Sequence, residues 1–116
     1  MTGKFGFNLN RVVEYSEEIK HISKDHFNQW DCLLVRTQNS LYTIRQTDEQ
    51  LYEVSGGWFD KQGLSPTKMI IRGCTWGGSI IHINLLAACG LCLEFGNNVI
   101  TSPVIQIVVI KAKNLN

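Results

Sequence analysis

The residues best suited to chemistry are Cys89-Gly90-Leu91-Cys92, with Cys74 and His82 a short way before them. Two thiols three positions apart form a redox pair when the first sits at the start of a helix, where the local field stabilises its thiolate. Here Leu91, Leu93 and Phe95 alternate with Cys92 and Glu94, which is the period of a strand. Residues an odd number apart on a strand point to opposite faces, so the two thiols meet only if the segment turns. The same pair could hold a metal if Cys74 and His82 completed four ligands, but a structural zinc site usually draws on two such pairs and this chain has one. The plainer reading is that the four cysteines are small apolar filling, the usual role of a free thiol. We take it as the leading one, with metal binding and thiol redox as alternatives.

In length and in its paired thiols the chain resembles thioredoxin, but the resemblance covers four residues. Ala88 rather than a tryptophan precedes Cys89, and Pro103 is too close in sequence for that family's cis-proline role.

Other candidates are weaker. His82 lies between Ile81 and Ile83, where a histidine is expected as hydrogen-bonded packing. Gly77-Gly78-Ser79 has glycines before its serine but none two residues after it, so it lacks the strained elbow of a hydrolase nucleophile. Neither that pair nor Gly56-Gly57 runs into the Gly-Lys-Ser or Gly-Lys-Thr of a phosphate loop, and sheet corners explain both. Trp58 and Trp76 each adjoin a glycine pair, and aromatic residues in exposed loops commonly anchor partners. The candidate binding residues are therefore Trp58, Trp76, Gly77, Gly78 and Ser79. The competing reading makes the tryptophans, with Trp30, lids on the ends of the core.

Eleven basic and ten acidic side chains leave a formal charge of +1. Nucleic-acid affinity rests on lysine and arginine neutralising phosphates. Here the bases are scattered and no arginine interleaves with the tryptophans, so a nucleic-acid platform is the least favoured function. Residues 73–93 are free of charge but carry Thr75, Ser79, His82, Asn84 and four glycines, which is too polar for a membrane span. The first residues show no apolar leader core. The expectations are a cytoplasmic location, reduced thiols and no cofactor.

The elements that must position these groups follow from periodicity. Gly73 to Ile110 contains one charge, Glu94, and a stretch so neutral is expected to form buried strands. Residues 1–8 are expected to fray, with 9–116 a single domain. Leu9, Val12, Val13, Ile19 and Ile22 have roughly helical spacing and predict a helix over about 9–22. Beyond residue 30 the period is two. Leu33 and Val35, Tyr42 and Ile44, then Tyr52 and Val54 predict a three-strand meander with turns at 38–40 and 47–50. Trp58-Phe59 predicts a short edge strand, Lys68 to Arg72 a strand, Gly73 to Ser79 a corner, and Ile80 to Asn84 another strand. Leu85 to Gly90 reads as a helical turn or a loop. Gly96-Asn97-Asn98 predicts a tight hairpin. Val104 to Ile110, apolar except for Gln106, must be covered on both faces, so it is central or pairs with another subunit.

The pattern Thr37-Gln38-Asn39-Ser40, Gly56-Gly57, Gly73 to Ser79 and Thr101-Ser102-Pro103-Val104 resembles small bacterial proteins to which no activity is assigned. The resemblance spans about residues 33–110 and implies no activity. A helix followed by a meander is also similar to Sm-like barrels, though their signature motifs are missing and the strands are too many. The fold expected is mainly β, a small antiparallel barrel or two-layer sandwich of about eight strands with one N-terminal helix. The function expected is a non-enzymatic module that binds a protein partner or forms a homo-oligomer.

Overall fold

The computed structural model describes residues 11–29, 31–48, 50–76 and 80–114. The chain is mainly β and antiparallel. Its strands are β1 (Arg11–Ile19), β2 (His21–Ser23), β3 (Cys32–Thr37), β4 (Leu41–Asp48), β5 (Leu51–Gly56), β6 (Thr67–Met69), β7 (Ile71–Trp76), β8 (Ile80–His82), β9 (Leu85–Ala88), β10 (Cys92–Phe95) and β11 (Val104–Asn114), with one short helix, α1 (Gly57–Lys61). A six-stranded sheet runs β1-β11-β3-β4-β5-β6, a three-stranded sheet runs β10-β7-β8, and β2 pairs with β9. The described strands form no closed barrel, because the large sheet ends in two edges at β1 and β6. Side chains from all three sheets meet in one apolar core.

The meander is as the alternation predicts. Tyr42, Ile44, Tyr52 and Val54 lie on one face and are buried, with Ile44 opposite Val54 and Tyr52 opposite Gln46. That face packs on Leu93 and Phe95 of β10, Ile71 of β7, and Leu86 and Ala87 of β9. Phe59 and Phe95 meet edge-to-face at 5.0 Å, and Tyr42 approaches both rings. Such aromatic pairs contribute about 1 kcal/mol each beyond the area they bury.

The predicted N-terminal helix is not formed. Residues 9 and 10 lie outside the described residues, and from Arg11 the chain is strand, followed by a single 3-10 turn at Lys24–His26. Valine, tyrosine and isoleucine at these positions suit a pleated surface. The helical look of the spacing has a local cause: the register against β11 shifts between Val13 and Tyr15. The residue left over by a bulge breaks strict alternation and leaves apolar positions that imitate a helical stripe.

Four other expectations change. Trp58-Phe59 is helix, not strand, and the Trp58 amide donates to the Tyr42 hydroxyl at 3.2 Å. Residues 68–72 split at Ile70, where the chain leaves the large sheet for the small one. Leu85–Ala88 is a strand opposite β2, and its last three residues are buried. A short run buried on both faces has no period to separate strand from helix. The predicted corner at Gly73 to Ser79 begins as strand, because Gly73 to Trp76 belong to β7, while residues 77–79 lie outside the described residues.

The tight turn at Gly96-Asn97-Asn98 is present. The Phe95 amide donates to the Val99 carbonyl at 2.9 Å, and Asn98 has positive φ. The final strand is central, between β1 and β3. Ile107 and Val109 are buried on one face, Val108 and Ile110 on the other are half-buried, and Ile105 is half exposed where the register against β3 shifts between Val104 and Gln106. Its apolar run therefore goes with pairing on both edges, full burial of one face and partial burial of the other.

Candidate functional site

The most distinctive surface is built by the turn from β7 into β8 and out again. β7 and β8 pair antiparallel, with Cys74 opposite His82, Thr75 opposite Ile81 and Trp76 opposite Ile80. The pairing is close because Gly73 sits at φ +149° against the backbone of His82 and Ile83. A side chain on residue 73 would lie 2.9 Å from the His82 carbonyl carbon and the Ile83 Cα. β8 ends its sheet, and all three of its residues are exposed. Ile80 and Ile83 are nearly two-thirds exposed, Trp76 more so, and Ile81 over one-third. Isolated apolar residues on a surface are ordinary; three exposed isoleucines within four positions, with Trp76 opposite Ile80, make an apolar sheet edge.

The candidate residues from the sequence divide. Trp76 belongs to this edge, as the register partner of Ile80. Gly77, Gly78 and Ser79 lie outside the described residues. Trp58 is elsewhere: it is half-buried on α1, stacked edge-to-face on Phe59 at 5.2 Å. It lines a shallow cleft with Thr37, Val99 and Ile100, to which Trp76, His82 and Cys89 contribute nothing. The Gly56 amide is engaged inside the protein, donating to Asp60 Oδ1 at 3.2 Å and Ser65 Oγ at 3.1 Å. Asp60 and Ser65 thus take the donor that an anion at Gly56 would need.

The thiols are free: Cys32 and Cys74 are buried, Cys89 and Cys92 half-buried. Cys89 lies in the turn between β9 and β10, its amide donating to the Lys20 carbonyl at 2.8 Å. Cys74 is fully enclosed in β7. Burial pushes its thiol up to about 12, against the opposing influence of the Lys24 charge and a hydrogen bond with the Ala88 backbone. Burial also raises Cys92, and it raises Cys32 despite the nearby Arg45. A nucleophilic cysteine needs the opposite shift. His82 is exposed at the sheet edge rather than packed. Among the described residues no group of three or more histidine, cysteine, aspartate and glutamate side chains could hold a metal ion.

Sequence reasoning placed Ile80 to Asn84 in a strand but read its neutrality as burial. The missed signal is that Ile80 and Ile81 occupy both phases of a strand three residues long, with Ile83 just beyond it. Such a strand shows an isoleucine on each face whichever way it turns.

No known protein family matches this chain, and neither does any curated protein or solved structure at a significant level.

Proposed function

We propose that this chain is a non-enzymatic binding module whose β8 edge accepts an extended strand from a protein partner or from a second copy of itself. The observation that carries the reading is the chemistry of that edge. A free strand edge invites pairing, and natural sheets blunt it with charge, proline or a covering segment. The edges at β1 and β6 are blunted in this way. β1 carries Glu17 and Glu18, and Lys68 and Pro66 stand in and before β6. β10 is covered by its own return, where the Leu93 amide donates to Thr101 Oγ1 at 3.0 Å and the Thr101 amide to the Leu93 carbonyl at 2.9 Å. β8 has Ile80, Ile81 and His82, with Ile83 next, and no formal charge. An added strand would gain main-chain hydrogen bonds and cover the isoleucines, each worth about 1.5–3 kcal/mol when fully buried.

Sedimentation velocity over about two decades of concentration tests the self-pairing form, since mass action must populate a dimer as concentration rises. The expected result is association that Ile81→Lys abolishes while the melting temperature holds. Display selection of unstructured peptides tests the partner form. Selected peptides should broaden the amide signals of Ile80–Ile83 in NMR spectra and should not do so in the Ile81→Lys variant. A monomer at every concentration, together with selected peptides that all map elsewhere, would refute the reading.

A further inference from the structure

A cleft of about 510 Å³ opens where the ends of β4 and β5 face the 3-10 turn and the β8–β9 turn. Its polar lining is Lys24, Asp25, Gln46, Gln50, Tyr52 and Asn84. Its apolar lining is Phe27, Ile70, Ile71 and Ile83, of which Ile70 and Ile83 are more than half exposed. The walls are anchored to regular structure. Gln46 and Tyr52 are register partners across β4 and β5, and the Lys24 amide donates to the Asn84 carbonyl at 2.9 Å.

Most of the polar groups here have no internal duty. The Lys24 ammonium has three donors and makes one hydrogen bond, to the Arg72 carbonyl at 3.2 Å. It forms no ion pair with a described residue. Partial burial lowers its pKa, so this cation is short of compensating charge. The Asp25 carboxylate neither accepts a hydrogen bond from nor pairs with any described residue. The same holds for the side-chain amides of Gln46, Gln50 and Asn84 and for the Tyr52 hydroxyl. Tyr52 is otherwise enclosed, and burial and then the Asp25 charge raise its pKa. Among the described residues, the cleft brings an ammonium with two donors to spare, an unpaired carboxylate and several unpaired amides to an apolar wall, which equips it for a ligand carrying both charges.

We propose that this cleft binds an α-amino acid with an aliphatic side chain as its zwitterion. Lys24 takes the carboxylate, Asp25 takes the ammonium, and the exposed Ile70 and Ile83, backed by the buried Phe27 and Ile71, receive the side chain. The described lining carries one charge of each sign, so it offers a polyanion little and a zwitterion both partners. The free amides can share the remaining lone pairs and protons. This site shares Ile83 with the β8 edge but not Lys24, Asp25 or Gln46, so the Lys24 and Asp25 variants test it without touching strand pairing, and either reading can fail alone.

The test is an NMR titration of the full chain with L-leucine. Saturable shifts below about 10 mM, centred on Lys24, Asp25, Gln46, Gln50, Ile70 and Asn84 and not on Ile80–His82, are expected. N-acetyl-L-leucine lacks the ammonium and L-leucinamide the carboxylate, and each should bind about tenfold more weakly, the worth of one charge-assisted contact. Lys24→Gln should weaken leucine about tenfold and leave leucinamide unchanged, and Asp25→Asn should do the same for leucine and N-acetyl-leucine. Both sites are on the surface, and the analogue series on the unaltered protein does not depend on either variant. Absence of saturation, shifts elsewhere, or equal affinity for leucine and both analogues would overturn the proposal.

Discussion

Replacing Gly73 with alanine is the sharpest perturbation of the β7–β8 edge. At φ +149° the residue occupies backbone space open in practice to glycine alone, and holding an alanine there costs about 1–3 kcal/mol. Its Cβ would also press on the His82 carbonyl and lie 2.9 Å from the Ile83 Cα. Backbone cannot rotate aside as a side-chain tip can, so β8 must move, at about 1–3 kcal/mol more. The expected loss is about 2–6 kcal/mol, a large share of the 5–15 kcal/mol that holds an ordinary domain together. Gly90 supplies the control. Its φ is +91°, but a Cβ there would meet nothing within 4 Å, so Gly90→Ala should cost the conformational part alone. Urea denaturation of both variants, read by far-ultraviolet dichroism, gives the comparison. Gly73→Ala should be the more costly by at least about 1 kcal/mol, and hydrogen exchange at Ile80–His82 should speed up in it and not in Gly90→Ala. Equal losses would show that β8 does not depend on the close approach at Gly73, and the account of the edge would fall.

The Cys74 thiol predicts an alkaline instability. Its pKa rises from 9.0 in the reference state to about 12 in the fold, so above pH 9 the unfolded chain releases a proton that the folded chain keeps. Stability is therefore whole below about pH 9 and falls as pH climbs toward 12, by about 2 kcal/mol at pH 10.5. Denaturation at pH 8 and 10.5 should show Cys74→Ala losing that much less stability over this interval than the unaltered protein; parallel losses would refute the assignment. The second prediction concerns Lys111, whose Nζ lies 2.9 Å from the buried Asp31 carboxylate and ties β11 to the start of β3. Lys111→Met strands that carboxylate and should cost about 3 kcal/mol, whereas Asp31→Asn combined with Lys111→Met should recover part of the loss. A double variant as unstable as the sum of the single ones, measured by urea denaturation, would show that the pair is not coupled.

The meander was legible because each of its strands alternates through its apolar centre, so that Leu33 and Val35, Tyr42 and Ile44, and Tyr52 and Val54 are all buried. The Gly96-Asn97-Asn98 turn was legible because positive φ favours few residue types. The first strand was not, because its bulge lies between Val13 and Tyr15, and which residue is left over depends on the partner strand, about a hundred positions away. β9 was hidden for a related reason: Leu86, Ala87 and Ala88 are all buried, and a run without a polar face has no period to read.

The candidate sites divide along the same line. Local composition alone determined the sheet class and the mainly extended second half, since alternation and glycine placement are properties of near neighbours. Only tertiary structure decided that the neutral isoleucines of β8 end a sheet instead of filling one, that Cys74 is sealed while His82 faces water, and that Lys24 and Asp25 share a cleft with Tyr52. Burial is a property of what lies across a sheet or beyond its edge, and those neighbours arrive from distant parts of the chain.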